Sequence, residues 1–119
     1  MSRVSKYLAI LRVELEDLEE DLTVLKSLYD ERDKRGEITH YTCLENVALV
    51  QEEISGIADM VRSMETIDPN RYSGLDELVK DLEALCRRRI KESDFPEAVF
   101  SLVQRKLEKV LRYVIDIET

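Results

Sequence analysis

The chain has 119 residues, 44% apolar and 37% charged, with three glycines, two prolines and a formal charge of −8. That length can bury a real core without staples, and so little Gly and Pro excludes a β-rich fold with a turn about every ten residues. No apolar run approaches the ~20 residues of a membrane span, so no membrane contact is expected.

The opening segment MSRVSKYLAILRVELEDLEEDL has neither a long apolar stretch nor a small-residue cleavage site. No signal peptide, a cytoplasmic protein and one domain over residues 1–119 are the expectation. Val4, Leu8, Leu11, Leu15, Leu18, Leu22, Leu25 and Tyr29 then follow at spacings 4-3-4-3-4-3-4. This unbroken heptad puts all eight on one stripe of a helix, and Ile10, Val24 and Leu28 widen it. Cations in RDKRGE and Gly36 mark its end. The acidic run ELEDLEED (Glu14, Glu16, Asp17, Glu19, Glu20, Asp21) lacks the Glu-x-x-His of di-metal bundles, and Leu15, Leu18 and Leu22 own the inward face. It reads as a solvated surface, with no metal and no other cofactor expected.

Thr42 and Glu45 have the spacing of a capping box for a second helix from about Cys43 to Met64. Leu44, Val47, Gln51, Ile54, Ala58 and Val61 give its stripe, Ile57, Met60 and Met64 broaden it, and Gly56 and Ala58 permit a close approach by a neighbour. QEEISGIADMV is similar to a magnesium-binding motif of some helical pyrophosphohydrolases through Glu52, Glu53 and Asp59. Gly56 stands where another acid is wanted, and no second acidic motif follows. His40, the one histidine, and Cys43 and Cys86, without CxxC spacing, predict neither a zinc site nor a catalytic set.

After ETIDPNRYSG, Ser73 with Asp76 caps a third helix carrying Leu75, Leu78, Val79, Leu82, Leu85 and Cys86 and running out near the arginines. Asp94 and Glu97 cap a fourth, with Pro96 in its first turn and Phe95, Val99, Leu102, Val103, Leu107, Val110, Val114 and Ile117 on its stripe. Four amphipathic helices on short loops predict an all-α, antiparallel up-down four-helix bundle.

Charge is unevenly spread along this plan. Residues 1–86 carry ten basic and twenty acidic side chains, and residues 87–112 carry eight and four. The summed field repels phosphate, yet Arg87, Arg88, Arg89 and Lys91 with Arg105, Lys109 and Arg112 are the candidate surface for RNA or an acidic partner. Lys106 lies beside them.

SRVSKYLAILRVELEDLEEDLTVL is similar to the opening helix of the HEPN superfamily, in particular its small toxin-like branch paired with minimal nucleotidyltransferases. LENVALVQEEISGIADMVRSMETIDPNRYSGLDELVKDL resembles that branch's second helix, Pro-x-x-Tyr turn and short Leu-rich helix. DFPEAVFSLVQRKLEKVLRYV is similar to its closing helix. The resemblance spans most of the chain and rests on apolar spacing and a few turn residues. It implies RNA cleavage at a dimer interface by an Arg followed, after four to six residues, by a His. Arg87 to Arg89 offer the Arg, but Glu92, Ser93, Asp94, Phe95 and Pro96 stand where the His belongs. A non-catalytic member is implied.

Two function classes follow. One is a non-enzymatic interaction protein, homodimeric through its long heptad helix or binding a partner protein. The other is a HEPN-like RNA-binding or RNA-cleaving protein using the basic surface.

Overall fold

The structure, a computed structural model, describes residues 2–118. Over these residues it is all-helical: α1 (Arg3–Lys34), α2 (His40–Met64), α3 (Leu75–Ser93) and α4 (Ala98–Glu118), with a short 3-10 turn at Pro69–Arg71 and no strand.

α1 forms on the heptad leucines, burying Val4, Tyr7, Leu11, Leu15, Leu18 and Leu22. Ser2 Oγ accepts the Ser5 N–H at 3.0 Å and caps its start. At its end Gly36 takes φ +72°, its N–H donates to Asp33 O, and the Glu37 N–H donates to Arg32 O. These two bonds make a Schellman motif, which only a residue tolerant of positive φ completes cheaply.

α2 begins earlier than its sequence suggests. Its N-cap is Thr39, whose Oγ1 accepts the Thr42 N–H at 3.1 Å, so Thr42 is already in the first turn. The Gly36 turn brings the chain back at once, and His40 Nδ1 lies 2.7 Å from Asp33 Oδ2 across the junction. In its first half the buried face is also shifted by one residue from the expected stripe. Cys43 and Val50 are buried where Leu44 and Gln51 were expected, while Ile57, Met60, Val61 and Met64 are buried as expected and Val47 and Ile54 are half-buried. α2 is apolar on more than one side, so spacing alone admits either register. Gly56 permits a close approach: a Cβ there would lie 2.7 Å from Val99 Cγ2, so the start of α4 packs directly on the α2 backbone.

α3 starts from Gly74, not Ser73, and has no side-chain cap. Glu77 instead reaches back, accepting from the Ser73 hydroxyl at 3.2 Å. The helix does not run out near the arginines. Arg, Lys, Ile and Glu all propagate a helix, and nothing breaks it before Ser93. Asp94 does not cap α4. It ends α3 in the left-handed region, at φ 54° and ψ 42°, a conformation that Asp tolerates better than most residues. Pro96 follows, leaving Phe95 in the loop, and α4 starts only at Ala98. Val99, Phe100, Val103, Leu107, Val110 and Val114 are buried on α4, while Ile117 is exposed.

At ~1.5 Å per residue α1 is ~48 Å long, nearly the whole 54 Å length of the molecule. α3 and α4, of 19 and 21 residues, span little more than half of that. They pack on one end of the α1–α2 pair. The Tyr7 hydroxyl donates to Leu107 O at 2.8 Å, and α4 meets α2 at Gly56. Burial on α1 therefore stops at Leu22, and on α2 it begins, Cys43 apart, at Val50. Beyond that level α1 and α2 continue alone as a two-helix tip. Among the described residues no helix is long and apolar enough to cross a membrane.

Candidate functional site

Consecutive residues on a helix point ~100° apart, so Arg87, Arg88 and Arg89 face three directions. The Arg87 guanidinium stacks on Phe100, 3.7 Å from the ring centroid, and ties α3 to α4. Arg89 turns toward α2. Its Nε and Nη2 donate to Asp59 Oδ1 and Oδ2 at 2.8 and 2.9 Å, and it also reaches Glu92 and Ser93. Arg88 faces solvent beside the α2–α3 loop, 3.9 Å from Glu92, over a groove containing Asp68 and Asp81. Lys91 shares a pocket with Asp94, Glu97, Phe95 and Phe100.

The α4 cations lie elsewhere. Lys106 and Lys109 both donate to Glu14 Oε2 of α1, at 3.0 and 2.9 Å. Those hydrogen bonds hold the Glu14 carboxyl below its usual range. Lys109 sits ~14 Å along α4 from Phe100, nine residues on. It borders a groove of about 470 Å³ lined by Ile10, Val13 and Tyr113. Arg105 and Arg112, seven residues apart, are exposed on the side of α4 away from its buried stripe. The structure thus brings Arg87 and Lys91 together at the α3–α4 turn and places Lys109 on α1. It spends Arg89 on α2 and separates all of these from Arg105 and Arg112.

Asp59 is the acid that the sequence placed among metal-binding candidates. It is buried, and the hydrogen bonds from Arg89 hold its carboxyl below the ordinary range. Glu52 points to solvent and Glu53 is half-buried, its carboxyl pushed up by that burial. Among the described residues no group of three or more His, Cys, Asp or Glu is placed to hold a metal ion.

The α1–α2 turn gathers His40, Asp33, Asp30 and Cys43. Cys43 Sγ lies 3.5 Å from both Tyr29 O and Asp30 Oδ1. Burial, then the neighbouring carboxylates, push its thiol up, the opposite of what a nucleophile needs. Burial likewise pushes the Cys86 thiol up to about 11. Both are packing residues.

The tip leaves apolar side chains uncovered. Val24 is 60% exposed and Leu28 and Leu49 are each 48% exposed, with Leu25 close behind. Leu49 precedes Gly56 by seven residues, so it lies on the same side of α2, two turns beyond the point that α4 covers. Leu28 follows Glu14 by fourteen residues and so lies on the side of α1 that faces α4 lower down. Leu28 and Leu49 thus continue the face covered by α3 and α4 past the place where those helices end, whereas Val24 borders the groove of Ala58, Val61 and Arg62. The sequence signal was there, because Leu28 widens the α1 stripe. What was missing was how far α3 and α4 would reach.

Set against protein-family models, characterised proteins and solved structures, the chain matches none of them.

Proposed function

We propose that this chain is a non-enzymatic cytoplasmic protein, an antiparallel up-down four-helix bundle that acts through protein–protein contact as a homodimer. Neighbouring contacts support the antiparallel order: Arg12 pairs with Glu65 and Lys26 with Gln51, so positions rise on α1 as they fall on α2.

The observation that carries the reading is the uncovered apolar tip, formed by Leu25 and Leu28 of α1 with Leu49 of α2. Lower down, α3 and α4 supply the two helices that complete the core. At the tip a second α1–α2 pair supplies the same two, giving four helices around a shared seam. The exposed apolar area is of the order of a few hundred Å², which suits the apolar centre of an interface burying ~800 Å² per partner.

Light scattering across a concentration series tests this. The reading predicts a mass approaching twice the 13.9 kDa of one chain as concentration rises. A mass that stays at one chain throughout would remove its basis.

The RNA reading has narrower support. Arg88, Lys91, Arg105 and Arg112 are exposed, but Arg89 is committed to Asp59 and Lys109 to Glu14. RNA affinity that falls with salt, and is lost in Arg88→Glu/Lys91→Glu, would shift the weight to it.

A further inference from the structure

Resting on that homodimer, we infer that its seam is α1 against α1 of the second copy, antiparallel and centred between Lys26 and Ser27. Asp21 of each chain then pairs with Arg32 of the partner subunit.

Asp21, Leu25, Leu28 and Arg32 follow at spacings 4-3-4, so they share one stripe of α1. That stripe reads acid, apolar, apolar, base, and it is symmetric about its midpoint. Laid antiparallel on itself, it sets Leu25 against the partner's Leu28 and Asp21 against the partner's Arg32, each contact occurring twice. Laid parallel, it sets acid on acid and base on base. The charge order therefore selects one orientation as well as one partner, and that partner is the same sequence.

Both charges are available for this. Asp21 and Arg32 are exposed, and among the described residues neither has an ion-pair partner within its own chain. They cannot satisfy each other within one chain, since eleven residues separate them by ~16 Å along the helix. On the covered part of α1, Glu14 is held by Lys106 and Lys109, and Arg12 by Glu16 and Glu65.

The geometry leaves room. The α3–α4 turn meets α2 at Gly56, level with Asp21 by the Arg12–Glu65 and Lys26–Gln51 pairs, yet Asp21 stays exposed beside it. An antiparallel partner overlaps only the last three turns of α1. Past Arg32 the partner helix ends within two residues, at Lys34, and its residues before Asp21 extend beyond the tip. The assembly is end-to-end and elongated. Leu49 of α2 flanks the seam on the side that α4 covers lower down.

The test uses the full chain with Asp21→Arg and Arg32→Asp, two exposed substitutions checked for helicity by circular dichroism. Sedimentation velocity should show each variant alone dimerising about tenfold more weakly than wild type, because each places two like-charge pairs in the seam. An equimolar mixture of the two variants should recover the dimer, since every cross-seam pair is then Arg with Asp. The doubly reversed chain should recover it as well. Raising the salt should shrink all these differences. A wild-type dimer indifferent to both substitutions, or a mixture that fails to recover, overturns this register while leaving the homodimer standing. A monomeric wild type overturns both.

Discussion

Asp59 sits between Ala58 and Met60 on the inner side of α2, and two hydrogen bonds from Arg89 hold it there across thirty residues of sequence. No local pattern announces such a pair: the acid resembled a metal ligand and the arginine one member of a basic cluster. Each turns out to neutralise the other. Replacing Asp59 with Asn should cost about 2 kcal/mol in urea unfolding at neutral pH, because a partly buried guanidinium loses its carboxylate. The Asp59 carboxyl is held below its unfolded value, so its contribution is complete above about pH 4 and fades as pH falls through the lowered value. The gap between wild type and Asp59→Asn should therefore narrow on acidification from pH 5 to 3. A gap that widened would contradict the assignment. Gly56 carries an equally specific demand. Alanine there gains about 1 kcal/mol of helix propensity but drives a Cβ into the stiff, branched Val99. Net destabilisation of about 1 kcal/mol is expected, and Val99→Ala should relieve it. The two thiols, buried and pushed up, should react with a thiol reagent only on unfolding.

The helix boundaries show what local rules can and cannot decide. α1 was legible in its heptad and its Gly36 stop, which agree, while its Ser2 cap emerged only from the structure. α2 was legible as a helix but not in its start or in the face of its first half. Thr39 and Thr42 both stand three residues before a polar residue, and only the tight turn after α1 selects Thr39. Thr39→Ala should therefore cost about 1 kcal/mol in thermal or chemical unfolding, clearly more than Thr42→Ala. Equal costs would mean that the first turn frays. The α3–α4 turn was misread for a related reason. Asp94 followed by Glu97 has the spacing of an N-cap, yet the same Asp can end the preceding helix in the left-handed region. Pro96 then removes the chance of continuing. That displacement lengthens α3 through all three arginines and fans them around it, so the cluster conspicuous in the sequence becomes three separate contacts.

At the scale of the whole molecule, one long helix is only partly covered by two shorter ones. The all-α plan follows from periodicity, but the uncovered tip follows from relative helix lengths and from where α4 meets Gly56, and neither can be read from spacing. The basic residues were conspicuous in the sequence and proved dispersed. Leu25 and Leu28 looked like ordinary core positions and are left open, as are Leu44 and Ile117. A tip of this kind, with an acid at one end of its stripe and a base at the other, suits a copy of itself. The most direct measurement is sedimentation equilibrium of the wild type beside Leu28→Glu, with circular dichroism to show that both are helical. The account predicts a dimer for the wild type and a single chain of 13.9 kDa for Leu28→Glu at the same concentration. A helical Leu28→Glu variant that remained as dimeric as the wild type would contradict it.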